Sequence, residues 1–193
     1  MNVVAILLAA GSASRFGSDK LLHALPHEVP IAIQAARHLQ AVVAGKILVV
    51  VRPAADELAR KFRAEGCEVV VCENAAEGMG ASLACAVRAA GPADAYLVAL
   101  GDMPFIRSST IAAVRDALAG GALLVAPYFR ARRGHPVGLA AKFRTALEAL
   151  EGDEGAKKII STNEKILVKI PVGDPGVLRD IDTPGDLAPP IVV

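Results

Sequence analysis

Short apolar runs alternate with alanine-rich stretches along the first two thirds of the chain. Runs of this length, rich in β-branched residues, are typical of buried strands. The predicted strands are Val3–Ala9, Lys46–Arg52, Cys67–Cys72, Ala95–Leu100 and Ala122–Ala126. The stretches between them predict helices at Pro30–Val43, Pro53–Glu65, Met79–Ala90 and Ser108–Ala119. This alternation indicates an α/β fold in which right-handed crossovers place helices on both faces of a parallel sheet.

The final third of the chain has a different pattern. It predicts strands at Val137–Ala140, Lys165–Ile170 and Val177–Asp182, with helices only at Ala141–Glu151 and Gly155–Thr162. A mostly parallel, mixed sheet with an antiparallel addition fits this order. Thr183–Pro190, rich in proline and glycine, is predicted to be a surface strap. At the ends of the helix Ser108–Ala119, Ser108 or Ser109 is the predicted N-cap and Gly120-Gly121 the predicted stop.

Composition narrows the class of protein. The 193 residues predict one domain spanning residues 1–193, and 53% of them are hydrophobic. The longest uncharged run, Met1–Ser14, is too short for a membrane span and lacks the basic segment of a signal peptide. The apolar excess therefore indicates a buried parallel sheet. A net charge of +1 gives no reason to expect nucleic-acid or membrane-surface binding. We expect a cytoplasmic protein in which Cys67, Cys72 and Cys85 are free thiols.

Polar segments follow several of the predicted strands, where open α/β sheets bind their ligands. They are Gly11–Lys20, Glu77–Ser82, Gly101–Pro104, Gly134–Pro136 (which precedes a strand) and Arg179–Thr183. In the first, Gly11 and Gly17 allow close backbone approach to a phosphate, and Arg15 and Lys20 add positive charge. The spacing matches neither a P-loop nor a dinucleotide fingerprint. A glycine turn with two solvated cations therefore remains an alternative.

Three carboxylates complement this cationic loop. Asp102 follows an apolar strand, where a charge is costly unless a cation meets it, although a lone Asp there can also be a turn former or helix cap. Asp180 and Asp182 share a face of an extended segment, because side chains alternate with period two. Magnesium typically takes one or two protein carboxylates together with substrate oxygens. The combination predicts a divalent cation that bridges phosphates.

These segments resemble MobA-like nucleotidyltransferases, most closely the MocA-type molybdenum cofactor cytidylyltransferases. The resemblance covers about residues 3–187 and rests on LLAAGSASRFGSDK, AEGMGASL, VALGDMPFI, RRGHPV and DPGVLRDIDTP, which occur in the family's order. It implies a Rossmann-like, three-layer α/β/α fold of the nucleotide-diphospho-sugar transferase type. It also implies Mg²⁺-dependent transfer of CMP from CTP to a phosphorylated pterin-type molybdenum cofactor, with release of pyrophosphate. A molybdoenzyme or its maturation chaperone is then an expected partner.

The same resemblance implies a role for each matching residue. Arg15, Lys20 and Asp102 would be catalytic, and Asp102 and Asp182 would hold Mg²⁺, with Asp180 as a helper. Gly134, His135 and Pro136 would bind the acceptor. The implied nucleotide-binding residues are Leu8, Ala9, Ala10, Gly11, Ser12, Arg15, Lys20, Gly78, Gly80, Ser82 and Asp102. Ala10, in LAAG where the guanylyltransferase branch has LAGG, points to CTP.

The chain also departs from the family pattern. His23–Ile33, HALPHEVPIAI, stands where the family usually has a segment like PLGGKPLL, and there is no tryptophan before AEGMG. Ser14 stands where the loop usually has a second arginine. These departures leave alternatives: a MobA-like transferase that uses GTP or another acceptor, or a non-catalytic nucleotide-binding partner in molybdoenzyme maturation. A nicotinamide oxidoreductase is disfavoured because the glycine fingerprint is absent.

Overall fold

A computed structural model describes residues 1–11 and 19–187 of the chain. Within these residues, eight strands form one mixed sheet in the order β3-β2-β1-β4-β7-β5-β6, with β8 paired to β5. The strands are β1 (Val3–Ala9), β2 (Ile47–Val51), β3 (Glu68–Val71), β4 (Ala95–Leu100), β5 (Leu124–Phe129), β6 (Arg132–Arg133), β7 (Val137–Ala140) and β8 (Leu167–Pro171). β1 to β4 are parallel to one another, and β7 pairs antiparallel with β4 and β5. The predicted mostly parallel sheet with an antiparallel addition is confirmed.

Helices cover both faces of the sheet. They are α1 (Ile31–Gln40), α2 (Asp56–Ala64), α3 (Met79–Ala90), α4 (Ser108–Ala119), α5 (Arg144–Glu148) and α6 (Lys157–Thr162). The seven residues of β1 are buried, and they alternate between two apolar clusters. Leu7 packs on the side of α1, α2 and α4, whereas Ile6 packs on the side of α3, α5 and α6. This burial on both faces confirms the three-layer α/β/α class and accounts for the apolar composition.

The predicted strand Val177–Asp182 is wrong. Pro175–Leu178 forms a 3-10 turn, which Asp174 caps by accepting a hydrogen bond from the Gly176 N–H. Beyond the turn the chain runs to Asp182 without joining the sheet, although the Ile181 N–H donates to the Asp102 carbonyl. Proline at the start of the turn has no N–H to give to a strand ladder, and the glycine favours a turn.

Several predicted boundaries also change. α4 begins at Ser108 as predicted, but its N-cap is Arg107, and neither serine provides a capping side chain. β5 begins two residues later than predicted and continues to Phe129. The predicted helix Ala141–Glu151 is a 3-10 turn at Ala141–Phe143 followed by the short α5. The predicted strap is a 3-10 turn at Pro184–Leu187, beyond which it lies outside the described residues.

Cys67, Cys72 and Cys85 all lie in the described residues and are free thiols, as expected. Across residues 1–11 and 19–187, every helix is too short or too polar to cross a bilayer.

Candidate active site

A cavity of about 740 Å³ opens at the carboxyl ends of β1, β2 and β4. This volume lies within the roughly 300–1,000 Å³ typical of small-molecule sites. Predicted nucleotide-binding residues that line it are Leu8, Ala9, Ala10, Gly11, Lys20, Gly78, Ser82 and Asp102. The parallel order of the sheet brings them together, because the loops after neighbouring parallel strands meet at one edge. Ser12 and Arg15 lie outside the described residues.

Lys20 joins two of the three carboxylates. Its Nζ lies 3.0 Å from Oδ2 of Asp102 and 3.0 Å from Oδ1 of Asp182. Only 12% of the Lys20 side chain is exposed, compared with 50% of the Asp182 side chain. Burial by itself would lower the pKa of Lys20, but attraction to Asp102 and hydrogen bonds to both carboxylates outweigh it and raise that pKa. The ammonium therefore stays charged, so it can neutralise an anion.

Asp102, Asp180 and Asp182 form a compact acidic cluster. One carboxylate oxygen from each residue lies within 4.8 Å of the others. Burial raises the pKa of Asp102, and Lys20 only partly offsets this effect, while nearby Asp180 adds to it. Hard oxygen ligands at this spacing fit a divalent cation. A cation with its charge of +2 would relieve the repulsion among three carboxylates, which Lys20 balances only in part.

Backbone contacts hold the cluster in place. The Ile181 N–H donates to the Asp102 carbonyl at 2.9 Å, which fixes the segment after the 3-10 turn against the end of β4. The Ile181 side chain is fully buried and packs with Leu25 and Ile31. Asp180 and Asp182, on either side of Ile181, can therefore reach Asp102 without a strand. The three carboxylates lie close together. However, a 3-10 turn and not the predicted strand precedes Asp180 and Asp182.

Arg52, at the end of β2, is a site residue that the sequence did not reveal. Its guanidinium donates to the Gly11 carbonyl at 3.2 Å and to the Asp19 carboxylate at 2.8 Å. Gly11 and Asp19 are the described residues on either side of the glycine-rich loop. No motif marks Arg52; only the register of parallel β1 and β2, which pairs Ala9 with Val51, brings it there.

The glycines of AEGMG approach protein backbone. The Gly80 N–H donates to the Gly152 carbonyl at 2.7 Å, and the Met79 N–H donates to the Asp153 carboxylate at 3.2 Å. A Cβ on Gly78 would lie 2.6 Å from the Gly152 carbonyl oxygen. The segment 151–153 therefore covers the N-terminus of α3. Gly80 is not among the lining residues, whereas Asp153, which the sequence analysis missed, is one of them.

Gly134, His135 and Pro136 lie beside the 3-10 turn at Pro175–Leu178. The His135 N–H donates to the Val177 carbonyl at 3.0 Å, and a Cβ on Gly134 would lie 2.5 Å from that same oxygen. Burial, together with the positive charge of Arg133, lowers the pKa of His135 to about 4. The neutral ring has a buried Nδ1 with no hydrogen-bond partner in residues 1–11 and 19–187. These three residues do not line the 740 Å³ cavity.

Comparison with known proteins agrees with this geometry. Residues 5–166 match the MobA-like NTP transferase domain. The chain belongs to that family. The resemblance drawn from the five motifs is therefore confirmed at the level of the family, and with it a nucleotidyltransferase domain.

One curated protein and several solved structures are similar to this chain over most of its length. Nicotine blue oxidoreductase of Paenarthrobacter nicotinovorans is 28% identical over 191 residues, covering 94% of this chain and 92% of that protein. The crystal structure of Rv0371c from Mycobacterium tuberculosis has a TM-score of 0.82 and 24% identity, with 96% and 94% of the two chains covered. A manganese complex of Rv0371c has a TM-score of 0.76 and 20% identity, with 89% of each chain covered. These structures establish the shared fold.

Proposed function

We propose that this protein is a Mg²⁺-dependent cytidylyltransferase. It would transfer CMP from CTP to a phosphorylated pterin-type molybdenum cofactor and release pyrophosphate. The observation that carries the proposal is the contact of Lys20 with Asp102 and Asp182, since Lys20 and Asp102 line a nucleotide-sized cavity. Family membership, shown by residues 5–166, supports nucleotidyl transfer as the reaction class.

The acidic cluster suits the metal that such a reaction needs. Asp102 and Asp182 would hold Mg²⁺, with Asp180 beside them, and the manganese complex of Rv0371c supports a divalent ion in this fold. When bound, the metal supplies charge stabilisation for the triphosphate and the leaving pyrophosphate. The described residues fit it, because three oxygen donors converge within 4.8 Å of one another.

The protein's own contribution is positioning and charge. A phosphate oxygen of the acceptor attacks the α-phosphorus of CTP, a new P–O bond forms, and the bond to the β-phosphate oxygen breaks to release pyrophosphate. No protein nucleophile is required, since the acceptor phosphate is itself anionic. Lys20, with Arg15 from the loop, would neutralise the charge on the triphosphate, and the N–H groups of that loop would bind its oxygens.

The end of the cavity away from Lys20 is expected to hold the base. Glu73, Glu77 and Asp153 are carboxylates that line the cavity together with Ser82 and Ala10, and they are candidates for contact with the base. Carboxylates accept hydrogen bonds from the amino group of cytosine, but they can equally accept the N–H groups of guanine. Ala10 is the sequence feature that favours CTP over GTP. Gly134, His135 and Pro136 would lie on the acceptor side.

A panel of nucleotides and acceptors tests the proposal. The protein is incubated with Mg²⁺, each of CTP, GTP, ATP and UTP, and molybdopterin, and pyrophosphate is measured. We expect turnover with CTP. Turnover with GTP alone, or only with another phosphorylated acceptor, would instead identify the alternative transferase that the altered His23–Ile33 segment motivates. Nucleotide binding without turnover under every condition would support a non-catalytic maturation partner that works with a molybdoenzyme or its chaperone.

The full-length similarity to nicotine blue oxidoreductase favours one further candidate, an oxidoreductase. The same preparation can be assayed for reduction of nicotine blue, the compound in that relative's name. Dye reduction that is unaffected by Asp102→Asn, together with no release of pyrophosphate, would favour this candidate over the transferase.

A further inference from the structure

A second cavity, of about 380 Å³, lies near the altered segment His23–Ile33. Leu25, Pro26 and His27 of that segment form one wall, and Phe105 forms part of another. This cavity shares no lining residue with the 740 Å³ cavity. The segment that departs from the family pattern therefore forms part of a separate pocket.

One side of this second cavity carries a chain of hydrogen bonds. His27 Nε2 lies 3.2 Å from Oε1 of Gln34, and Gln34 Nε2 lies 2.6 Å from Nε2 of His38. A primary amide has two N–H donors and two acceptor lone pairs. Among the described contacts, each end of the Gln34 amide uses one of these, so the amide retains one donor and one acceptor on the cavity wall.

The cavity carries little unbalanced charge. Burial lowers the pKa of His38, and this effect exceeds the opposing influence of the Ile106 carbonyl and of Asp174, so the ring is neutral at pH 7. Asp174 is buried and accepts hydrogen bonds from the Arg107 N–H at 2.9 Å and the Thr110 hydroxyl at 2.7 Å. The Arg107 side chain lies beside this carboxylate, with Nε 4.0 Å from it. A charged ligand would therefore find no uncompensated partner here.

The remaining lining residues are apolar. They comprise the rings of Pro26, Pro104, Phe105 and Pro175, together with the buried side chain of Leu25. Aromatic and proline rings pack well against the faces of planar molecules. A volume of about 380 Å³ suits a ligand of one or two fused rings.

We infer that this cavity binds a small, uncharged, planar heterocycle through a ring C=O and an adjacent ring N–H, which pair with the donor and acceptor of Gln34. The inference does not rest on the proposed transfer reaction, because it uses none of the residues that line the larger cavity.

The same cavity is connected to the acidic cluster. Leu25 and Phe105 also pack around Ile181, whose N–H holds the Asp102 carbonyl. The Arg179 guanidinium lies 5.4 Å from the centre of the Phe105 ring. A ligand that contacts Leu25 and Phe105 thus contacts the residues that support Asp180 and Asp182. We therefore expect its binding to be coupled to that of the divalent cation proposed at the acidic cluster, and by linkage the effect is reciprocal. This coupling, unlike the binding itself, rests on the proposed function.

The test uses quinazolin-4(3H)-one, which has two fused rings and the required C=O and N–H. Binding to the full chain is followed by NMR, through the Gln34 side-chain amide and the Leu25 methyl groups. 3-Methylquinazolin-4-one, which lacks the N–H, should bind about tenfold more weakly, since a buried acceptor is left unpaired. Quinoline-4-carboxylate, which is charged, should also bind about tenfold more weakly, because transfer of a charge from water is unfavourable without a partner.

Gln34→Ala should weaken binding of quinazolin-4(3H)-one about tenfold, because the paired hydrogen bonds are lost. Gln40→Ala is the matched control: Gln40 lies on the same helix but donates to the Glu65 carbonyl, away from the cavity. If Gln34→Ala unfolds, Gln34→Met keeps the length of the side chain without its amide. Absence of shifts at Gln34 and Leu25 up to the solubility limit, or equal effects of Gln34→Ala and Gln40→Ala, would overturn the site.

The coupling has its own readout, the affinity for Mn²⁺ measured by electron paramagnetic resonance. We expect saturation with quinazolin-4(3H)-one to change that affinity at least twofold, and the change to disappear in Gln34→Ala. An unchanged Mn²⁺ affinity in a protein saturated with the probe would overturn the coupling. Neither measurement depends on turnover, so failure here is distinct from failure of the nucleotide panel.

Discussion

Arg52 lies 2.8 Å from Asp19, with a guanidinium N–H donating to the carboxylate, and a second N–H of the same group reaches the Gly11 carbonyl at 3.2 Å. One side chain just after β2 thereby ties together the residues on either side of the glycine-rich loop. Holding two ends of a loop reduces the conformational entropy that must be lost when the loop binds a ligand. Arg52 is thus expected to organise this loop for a triphosphate.

Arg52→Ala should raise the KM for the nucleotide roughly tenfold, as expected for loss of hydrogen bonds to a charged group, and should lower kcat less. Initial rates over a nucleotide titration measure both constants. Arg52→Lys, which retains the charge but can make fewer directed bonds, should recover part of the loss. The matched control is Arg37→Ala, because Arg37 makes a similar pair of bonds to Glu65 on the surface, at 2.9 and 2.7 Å. Equal effects of Arg37→Ala and Arg52→Ala would contradict this role.

Asp102→Asn should lower turnover far more than nucleotide affinity. The amide keeps the size of the side chain but cannot supply the negative charge that holds a divalent cation, so stabilisation of the transition state is lost. We expect kcat to fall by roughly a hundredfold to a thousandfold, by analogy with the loss of other stabilising groups. Single-turnover kinetics with saturating Mg²⁺ and binding of a non-hydrolysable nucleotide separate the two effects. Unchanged turnover would remove Asp102 from the catalytic machinery.

The acidic cluster shows how far sequence reasoning reached. Asp102 could be placed because an apolar strand precedes it and because ligands of such sheets gather at strand ends. Asp180 and Asp182 were placed near it on the assumption of a strand, whereas a 3-10 turn and the buried side chain of Ile181 position them. Alternation along an extended segment does not require a sheet. The two side chains therefore lie near Asp102 even though the predicted strand is absent from this part of the described chain.

Other features depend on contacts between distant parts of the chain. Asp153 enters the cavity because the segment 151–153 packs over the start of α3, more than 70 residues earlier in sequence (Met79 and Asp153 are 74 apart). Arg52 donates a hydrogen bond to Asp19, which lies 33 residues earlier in the sequence. Neither lies in a motif, and a single sequence does not encode such pairings in its local pattern. The same holds for the second cavity, which three separate loops and α1 enclose.

Gly80→Ala tests the packing of segment 151–153 on α3. A Cβ at this position would lie 2.5 Å from the Glu151 carbonyl oxygen and 2.8 Å from that of Gly152. We expect destabilisation of about 1–3 kcal/mol from overpacking, even though alanine has the higher helix propensity. Urea unfolding measures the change. Gly173→Ala serves as the control, because no atom lies within 4 Å of the added carbon there. A Gly80→Ala protein as stable as wild type would show that segment 151–153 moves readily.

His38 predicts a pH dependence of stability. Burial lowers its pKa below the ordinary value of 6.5, so at mildly acidic pH the unfolded chain binds a proton that the folded chain does not. Its stabilising contribution is complete above about pH 6.5 and is lost as the pH falls toward the lower, folded-state pKa. The groups that face the ring are Gln34, His27, Asp174 and the Ile106 carbonyl.

His38→Gln and His38→Phe should both flatten the fall in the free energy of unfolding between pH 6.5 and pH 5, because neither side chain can take up the proton. Urea unfolding at half-unit pH intervals gives the slope for each protein. Agreement between the two variants separates proton uptake from loss of the hydrogen bond to Gln34, since only glutamine can replace that bond. A slope that matches wild type in both variants would assign the acid sensitivity to other groups.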